Sequence, residues 1–440
     1  MLERAKSLID EDPDECYRIC QTYLSEHPDS HVAYTLSGVV NYRAERYGAA
    51  LAFFNAALAL NPNQAELHNW VGTVWHELKE PGRARDYLRR ALELKKNPLY
   101  MTGIGATYTE EGNHQEAIKW ARKAQAIEPD LIHAKQVLAF AQLALGDWEN
   151  GWQNYRANLG GRFRKKLSFD NAPDWDGGPV NRLVVYGEQG LGDEIMFASC
   201  IGDIKADDLV IECDPRLEGL YRRSFPSAEV HGTRRQDRDW NVTCDAQVAV
   251  GDLPAFFRPT RESCPRKPYL TADPERRMMW RALFKSWGKP VIGLTWTGGK
   301  QASQYTKRMM GLESLRPLIE TTDAVFVSLQ YKDPREEIEA SGLPVRHFSA
   351  LLSDDYDDTA ALVAELDSVM GIHTTAHHLA GALGVPGTVF VPDAPMWNYA
   401  TGDRLPWYAE QVFFRQRKSE KWADCVRRFM SVRQPVLEAA

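Results

Sequence analysis

The first third of the chain repeats itself with a period of 33 or 34 residues, and this period constrains the fold most strongly. Small residues allow two antiparallel helices to cross closely, while large ones such as Tyr34, Phe54 and Tyr108 fill the space beside them. Each repeat therefore predicts a helical hairpin, and such hairpins stack into a solenoid. The recurring small residues are Gly38, Ala50 and Ala57, then Gly72, Ala84 and Ala91, then Gly105, Ala117 and Ala124.

This pattern resembles the tetratricopeptide repeat (TPR), in which a proline closes each unit, as Pro62 and Pro129 do here. We place the array at residues 1–158, with a less regular last unit over 146–155. Arrays of this kind commonly hold a peptide or a partner protein on an extended concave face. The alternative is that the repeats only dock onto the rest of the chain.

Composition and charge narrow the class of protein. The chain has 440 residues, of which 44% are hydrophobic and 26% charged, so we expect several folded domains. A net charge of -7 argues against nucleic acid as a partner, and the basic run 162–166 is more typical of a solvated linker. We find no signal peptide, no membrane-spanning run and no Cys-x-x-Cys pair among the seven cysteines, which together predict a cytoplasmic protein.

The composition changes after residue 158. Residues 159–180 are rich in Gly and Pro, which predicts a linker. Beyond it, apolar runs alternate with helical stretches, a pattern typical of parallel sheets covered on both faces. We predict one α/β domain at 181–288 and a second at 289–440 that ends in a helix. The predicted strands are 183–186, 209–212 and 247–250, then 291–295, 325–329, 369–372 and 388–391.

A glycine-rich turn follows the first of these strands, with the sequence Gly187-Glu188-Gln189-Gly190-Leu191-Gly192-Asp193. Glycines at a strand-to-helix turn allow backbone N–H groups to approach a ligand. Asp193 could simply favour the start of the helix through the helix dipole. The surrounding glycines favour a role that faces a ligand. Dinucleotide sites have Gly-x-Gly-x-x-Gly instead, yet Glu212 ends the next strand, so an NAD-dependent enzyme is a further alternative.

Two later loops carry groups suited to phosphate. After strand 291–295 come Thr297, two glycines, and then Lys307-Arg308, which combine the hydroxyl, backbone and cations that a diphosphate needs. After strand 369–372, Thr374 and Thr375 open a small-residue helix that is predicted to end at Gly384. His373 and His377 could instead hold a metal, but no carboxylate or cysteine stands at helical spacing from them. Phosphate contact or packing is therefore the prediction.

Taken together, the three motifs resemble bacterial TPR-linked glycosyltransferases related to the ADP-heptose:lipopolysaccharide heptosyltransferases, which have the two-domain GT-B fold. The resemblance runs from about residue 173 to the C-terminus and includes an aromatic tail with Trp397, Trp407 and Tyr408. The domain arrangement is similar to that of O-GlcNAc transferase. The asparagine ladder in the array of that enzyme is replaced here by Leu36, Trp70 and Gly103.

The resemblance implies a role for each motif. A Gly-Asp pair opens the first helix of heptosyltransferases, and its Asp is the proposed base, which assigns that role to Asp193. The Asp-Thr-Gly-x-x-His signature of the family differs at His373 and Thr375, so the donor need not be a heptose. The implied donor contacts are Thr297, Lys307, Arg308, Gln330, Thr374, Thr375 and His378, and the acceptor-side loop is Glu188, Gln189, Gly190 and Gly192.

The sequence therefore predicts a TPR solenoid followed by an inverting GT-B glycosyltransferase that needs neither a metal nor a cofactor. It would transfer a sugar from a nucleotide-diphospho-sugar to a protein or peptide recruited by the array, such as a flagellin. The alternative is a catalytically inactive adaptor whose GT-B half binds a nucleotide or a partner.

Overall fold

The computed structural model describes residues 1–161, 164–233, 242–298, 309–349 and 355–437, with side chains as far as residue 432. The chain divides into two compact units, Met1–Gln142 and Leu143–Ala440. Within the described ranges the first unit is helical, whereas the second contains two parallel sheets. None of the helices in these ranges combines the length and the apolar composition needed to cross a membrane.

Helical hairpins make up the chain from Leu2 to Arg156. Asp12, Ser30 and Asn113 each precede a helix and accept a hydrogen bond from the backbone N–H three residues ahead, which explains where these helices begin. The predicted hairpins are present, each as two consecutive helices. The helices are α1 (Leu2–Glu11), α2 (Pro13–Glu26), α3 (His31–Arg43), α4 (Tyr47–Leu60), α5 (Ala65–Glu77), α6 (Pro81–Leu94), α7 (Pro98–Glu110), α8 (His114–Gln125), α9 (Ile132–Leu145) and α10 (Trp148–Arg156).

The small residues of the repeat lie where the helices of a pair touch. A Cβ added to Gly38 would lie 2.6 Å from the ring of Phe54, and one added to Gly72 would lie 2.8 Å from Leu88 Cγ. The helices therefore approach as closely as the repeat predicts. The repeated alanines are all 0% exposed, namely Ala50, Ala57, Ala84, Ala91, Ala117 and Ala124.

Every pair of neighbouring strands in the two sheets is parallel. The first sheet has the order β3-β2-β1-β4 and the second β10-β9-β8-β5-β6-β7. All the predicted strands are present, whereas β3, β7 and β10 were not predicted. The strands are β1 (Val180–Tyr186), β2 (Ala206–Glu212), β3 (Glu229–His231), β4 (Ala246–Ala249), β5 (Val291–Thr295), β6 (Val325–Ser328), β7 (Val345–Arg346), β8 (Ser368–Ile372), β9 (Gly387–Val391) and β10 (Gln411–Arg415).

Helices connect most consecutive strands in the described ranges, as parallel pairing requires. The helix predicted after Thr374 is present and ends at Gly384, whose φ of 83° is readily adopted by glycine. Another helix ends at Gly288, with a φ of 64°, at the place where the sequence pattern puts the boundary between the two α/β regions. The helices of this part are α11 (Leu191–Phe197), α12 (Glu218–Ser224), α13 (Pro254–Phe257), α14 (Pro274–Trp287), α15 (Arg316–Thr321), α16 (Arg335–Ser341), α17 (Tyr356–Val363), α18 (Thr375–Leu383) and α19 (Trp422–Leu437).

Helix α10 belongs to the second unit, although the repeat pattern assigns residues up to 158 to the array. Its aromatic residues explain this difference. Trp152 lies edge-on to Phe197, with ring centroids 6.2 Å apart, and Trp148 stacks on Trp407 at 5.6 Å. Because all four side chains are at most 4% exposed, α10 is part of the core of the α/β unit.

Candidate functional site

Each sheet has one point at which the strand order reverses direction. In the first sheet it lies between β1 and β4, and in the second between β5 and β8. Loops that leave the carboxyl ends of such strands run to opposite faces of the sheet and leave a crevice in which ligands of α/β proteins bind. The predicted motifs lie at these points, since the turn 187–190 follows β1, the loop from Trp296 follows β5, and Thr374 follows β8.

The first turns of α11 and α18 are in direct contact. A Cβ added to Gly192 would lie 3.1 Å from Thr375 Oγ1 and 3.4 Å from His378 Cδ2. The Oδ2 atom of Asp193 lies 3.5 Å from the position that a Cβ on Gly190 would take, so the carboxylate lies beside the start of its own helix. The structure thus brings these five predicted site residues together, and Gly192 allows the approach because it has no side chain.

An arginine from the predicted linker fills the crevice of the first sheet. Arg164 donates from Nη2 to Glu188 Oε1 and to Asp252 Oδ1, both at 2.7 Å, and it is 1% exposed. Burial lowers the pKa of its guanidinium, but the two carboxylates raise it by more, and the net shift is upward. Since Glu188 follows β1 and Asp252 follows β4, this ion pair joins both sides of the crevice. A dinucleotide bound there would have to displace it.

The same network holds the glycine-rich turn. Tyr155 donates to Gln189 Oε1 at 2.6 Å, and Gln189 Nε2 donates to Glu188 Oε1 at 2.9 Å. Burial raises the pKa of the Tyr155 hydroxyl; the Arg164 guanidinium opposes this shift, and the carboxylates of Asp193 and Glu188 add to it. Glu188 and Gln189, assigned to the acceptor-side loop from the sequence, therefore contact Arg164 and Tyr155 and fix the position of the turn.

Arg164, Asp252 and Tyr155 were not among the predicted site residues. The basic run 162–166 is typical of a solvated linker, and a run of charges does not show which of its members is buried. The order of the strands was the signal that could have identified Asp252, because it places the loop after β4 beside the turn after β1.

On the second sheet, three of the predicted donor contacts lie on neighbouring loops. Gln330 Oε1 accepts from the backbone N–H groups of Trp296 at 3.3 Å and Thr297 at 3.5 Å, which joins the loops after β5 and β6. A Cβ on Gly298 would lie 2.7 Å from Thr374 Cγ2, so the β5 loop also touches the start of α18. Lys307 and Arg308 lie outside the described residues.

The three histidines near the start of α18 have different surroundings. His378 lies with Nδ1 3.2 Å from the Tyr408 hydroxyl and Nε2 3.1 Å from the Tyr399 hydroxyl. His377 is in the core, 3.0 Å from Gln411 Oε1, and burial lowers its pKa to about 4. The ring of His373 lies 4.6 Å from that of Tyr399. His377 therefore has a packing role, while His378 is held at the contact with α11.

The TPR family model matches residues 21–65, 36–99 and 77–131, which confirms the repeat array. The BBSome complex member BBS4 of Bos taurus is 26% identical over 109 residues, covering 25% of this chain and 21% of that protein. The solved structure of YrrB, whose title describes a TPR protein with an unusual peptide-binding site, is 22% identical with a TM-score of 0.31. It covers 36% of this chain and 83% of YrrB.

One relative is similar to this chain over most of its length. Protein FlbA of Caulobacter vibrioides is 30% identical over 414 residues, which cover 86% of this chain and 68% of FlbA. The chain therefore belongs to the FlbA family of TPR-containing proteins.

Proposed function

We propose that the chain is an inverting glycosyltransferase of the GT-B type, which transfers a sugar from a nucleotide-diphospho-sugar to a protein acceptor. The observation that supports this proposal is the contact between the first turns of α11 and α18, where Gly192, the neighbour of Asp193 in the chain, lies against Thr375 and His378. In this proposal the carboxylate of Asp193 and the hydroxyl groups at the start of α18 serve one site. An acid–base residue and an anion-binding helix start are the two groups that such a transfer requires.

In this proposal Asp193 accepts the proton of the acceptor hydroxyl while the hydroxyl oxygen attacks the anomeric carbon. The bond from that carbon to the diphosphate breaks, and the diphosphate leaves with the electron pair. Backbone N–H groups in the first turn of α18 have no partner within the helix, and together with the hydroxyls of Thr374 and Thr375 they stabilise the charge that develops. Lys307 and Arg308 are the proposed cations, so the mechanism needs neither a metal nor a cofactor.

The buried network at Arg164 supports the proposal because a base must be held in a fixed position. Four segments meet there, namely α10, the linker, the turn after β1 and the loop after β4. Their hydrogen bonds hold the turn through Glu188 and Gln189. Asp193 therefore lies on a turn supported by buried contacts.

The TPR array has a role of its own in this proposal, which is to bind the acceptor. TPR arrays bind peptides and proteins, so we propose that the array recruits a protein or peptide acceptor in the cytoplasm, with a flagellin as one candidate. The sugar and the nucleotide base are the parts of the substrate that a binding screen would identify.

Asp193→Asn tests the proposed base. We expect nucleotide release from the sugar donor in the presence of acceptor to fall by about 10²-fold or more, because the amide cannot accept the proton. Binding of the nucleotide should be unchanged. A thermal-shift screen with UDP, GDP, ADP, CDP and CMP first identifies the nucleotide, and its sugar donors then serve as substrates.

Asp207→Asn is a matched control, since Asp207 is exposed on β2. Full activity in this control together with loss in Asp193→Asn supports the assignment. Undiminished turnover in Asp193→Asn would remove Asp193 as the base.

A catalytically inactive adaptor is the second candidate function. The contact itself favours it, because Thr375 already touches Gly192 and His378 already contacts two tyrosine hydroxyls. The departures from the heptosyltransferase signature at His373 and Thr375 point the same way. An adaptor would bind a nucleotide without hydrolysing any of its sugar donors, whereas a transferase hydrolyses its donor slowly even without acceptor.

A further inference from the structure

Two half-buried arginines meet at Gly402, in the loop before β10. The guanidinium of Arg261 lies where a Cβ on Gly402 would be, so it packs directly on the glycine backbone. Arg415, the last residue of β10, donates from Nη2 to the Gly402 carbonyl oxygen at 2.8 Å. Gly402 has a φ of 76°, a conformation that glycine adopts without strain. Two positive side chains from distant parts of the sequence thus share one loop.

Neither arginine forms an ion pair within the part of the chain that the structure describes. Arg261 donates instead to the hydroxyl and carbonyl oxygens of Thr401 and to the carbonyl oxygen of Arg404. Asp403 is the carboxylate of the same loop, but its side chain is 80% exposed and pairs with Arg404 at 3.4 Å. The charge on the two guanidiniums is therefore not balanced by a contacting carboxylate among these residues.

Burial and a neighbouring positive charge lower the pKa of both arginines. Burial lowers the pKa of Arg261, and the neighbouring charge of Arg266 lowers it further, while Asp403 acts in the opposite direction. Burial also lowers the pKa of Arg415, and the charge of Arg261 adds to the shift. An oxyanion bound between them would relieve this repulsion, because guanidinium groups bind phosphate and carboxylate through paired hydrogen bonds.

The register of the second sheet gives the position of Arg261 and Arg415 relative to the start of α18. Arg415 is paired in register with Val391 at the end of β9, and Phe390 of β9 is paired with Ile372 at the end of β8. Adjacent strands are about 4.8 Å apart, so the ends of β10 and β8 are separated by roughly 10 Å. The arginines therefore lie at the same carboxyl edge as the start of α18 but at a different point of it.

We propose that Arg261 and Arg415 form a binding site for an oxyanion, the phosphate or carboxylate group of a small ligand. Arg415 uses one of its five N–H donors for Gly402, which leaves donors for the ligand. The Gly402 loop orients both guanidiniums through its carbonyl groups. This site does not depend on the proposed transferase activity, and it is separate from Asp193 and α18.

Calorimetric titration of the full chain with pyrophosphate, and separately with acetate, in a buffer free of other oxyanions tests the proposal. We expect the wild type to bind one of the two anions and Arg415→Gln to weaken that binding about tenfold or more. Arg415→Lys keeps the charge but loses the planar fork, so its affinity should be intermediate. Arg417→Gln is the matched control, because Arg417 is exposed two residues further along the chain and should leave binding unchanged.

The anion that binds identifies the ligand chemistry, since pyrophosphate binding assigns phosphate and acetate binding assigns carboxylate. Equal affinity in the wild type and Arg415→Gln, or no binding of either anion, would overturn the site. Loss of stability in Arg415→Gln is checked by its thermal midpoint, and Arg261→Gln gives an independent second variant. If the chain turns over a sugar donor but shows no anion binding that depends on Arg415, the anion site is rejected and the transferase is not. If the anion binding is present but no donor is turned over, the transferase is rejected and the anion site is not.

Discussion

Gly371 lies opposite Thr295 where two central strands of the second sheet pair. It lies in β8 with a φ of 143°, and a Cβ there would overlap the carbonyl oxygen of Thr295 on β5. Gly371→Ala should lower the free energy of unfolding by about 3 kcal/mol, because the backbone strain and the overlap both oppose the native strand pairing. Urea denaturation followed by tryptophan fluorescence measures this. Gly202→Ala, with no atom within 4 Å of the added Cβ, should change stability by less than about 1 kcal/mol.

His377 makes the second unit sensitive to acid. Burial lowers the pKa of its imidazole from 6.5 to about 4. Between these two pH values the imidazole is protonated in the unfolded chain but neutral in the folded chain. Stability is therefore lost as the pH falls through this window, by about 2 kcal/mol between pH 7.5 and pH 5. Urea unfolding at both pH values should show a smaller loss for His377→Gln, which lacks the titrating group. His231→Gln, which removes a histidine from strand β3, should keep the loss, and an unchanged pH dependence in His377→Gln would contradict this account.

The helical hairpins of the array depend on small residues at one face of each helix. Gly38→Ala should lower the free energy of unfolding by about 2 kcal/mol, because the new methyl group would lie 2.6 Å from the buried ring of Phe54. Gly48→Ala is the matched control in the next helix, where no atom lies within 4 Å. It should leave stability unchanged or raise it by about 0.5 kcal/mol. Urea unfolding followed by circular dichroism at 222 nm distinguishes the two, and an equal effect of both variants would contradict the packing argument.

Each of the two units contains a hydrophobic cluster among its described residues. One cluster around Phe54 and Val71 lies within Met1–Gln142, and another around Trp296 and Phe390 lies within Leu143–Ala440. We therefore expect two transitions in scanning calorimetry, with Gly38→Ala lowering the midpoint of one and Gly371→Ala that of the other. Their effects should add in the double variant. A single transition that both variants shift would show that the units unfold together.

Local patterns in the sequence predicted the parts of the site that depend on neighbours in the chain. The positions of Gly192 and Asp193 at the start of α11, and of Thr374 and Thr375 at the start of α18, follow from a strand, a turn and a helix in succession. The role of Arg164 could not be predicted in this way. Its partners Glu188 and Asp252 are 24 and 88 residues away, and a basic run alone does not show which member will be buried.

The helical repeats and the parallel strands follow from the sequence, because the spacing of small and apolar residues reflects contacts within one hairpin or one strand. The strand order, the approach of Gly192 to Thr375 and the burial of Arg164 between two carboxylates are visible in the folded chain alone. The physical reason is that an apolar run indicates that a strand is buried but not which strand it pairs with. Strand order and close helix approach depend on packing between segments that are far apart in the chain.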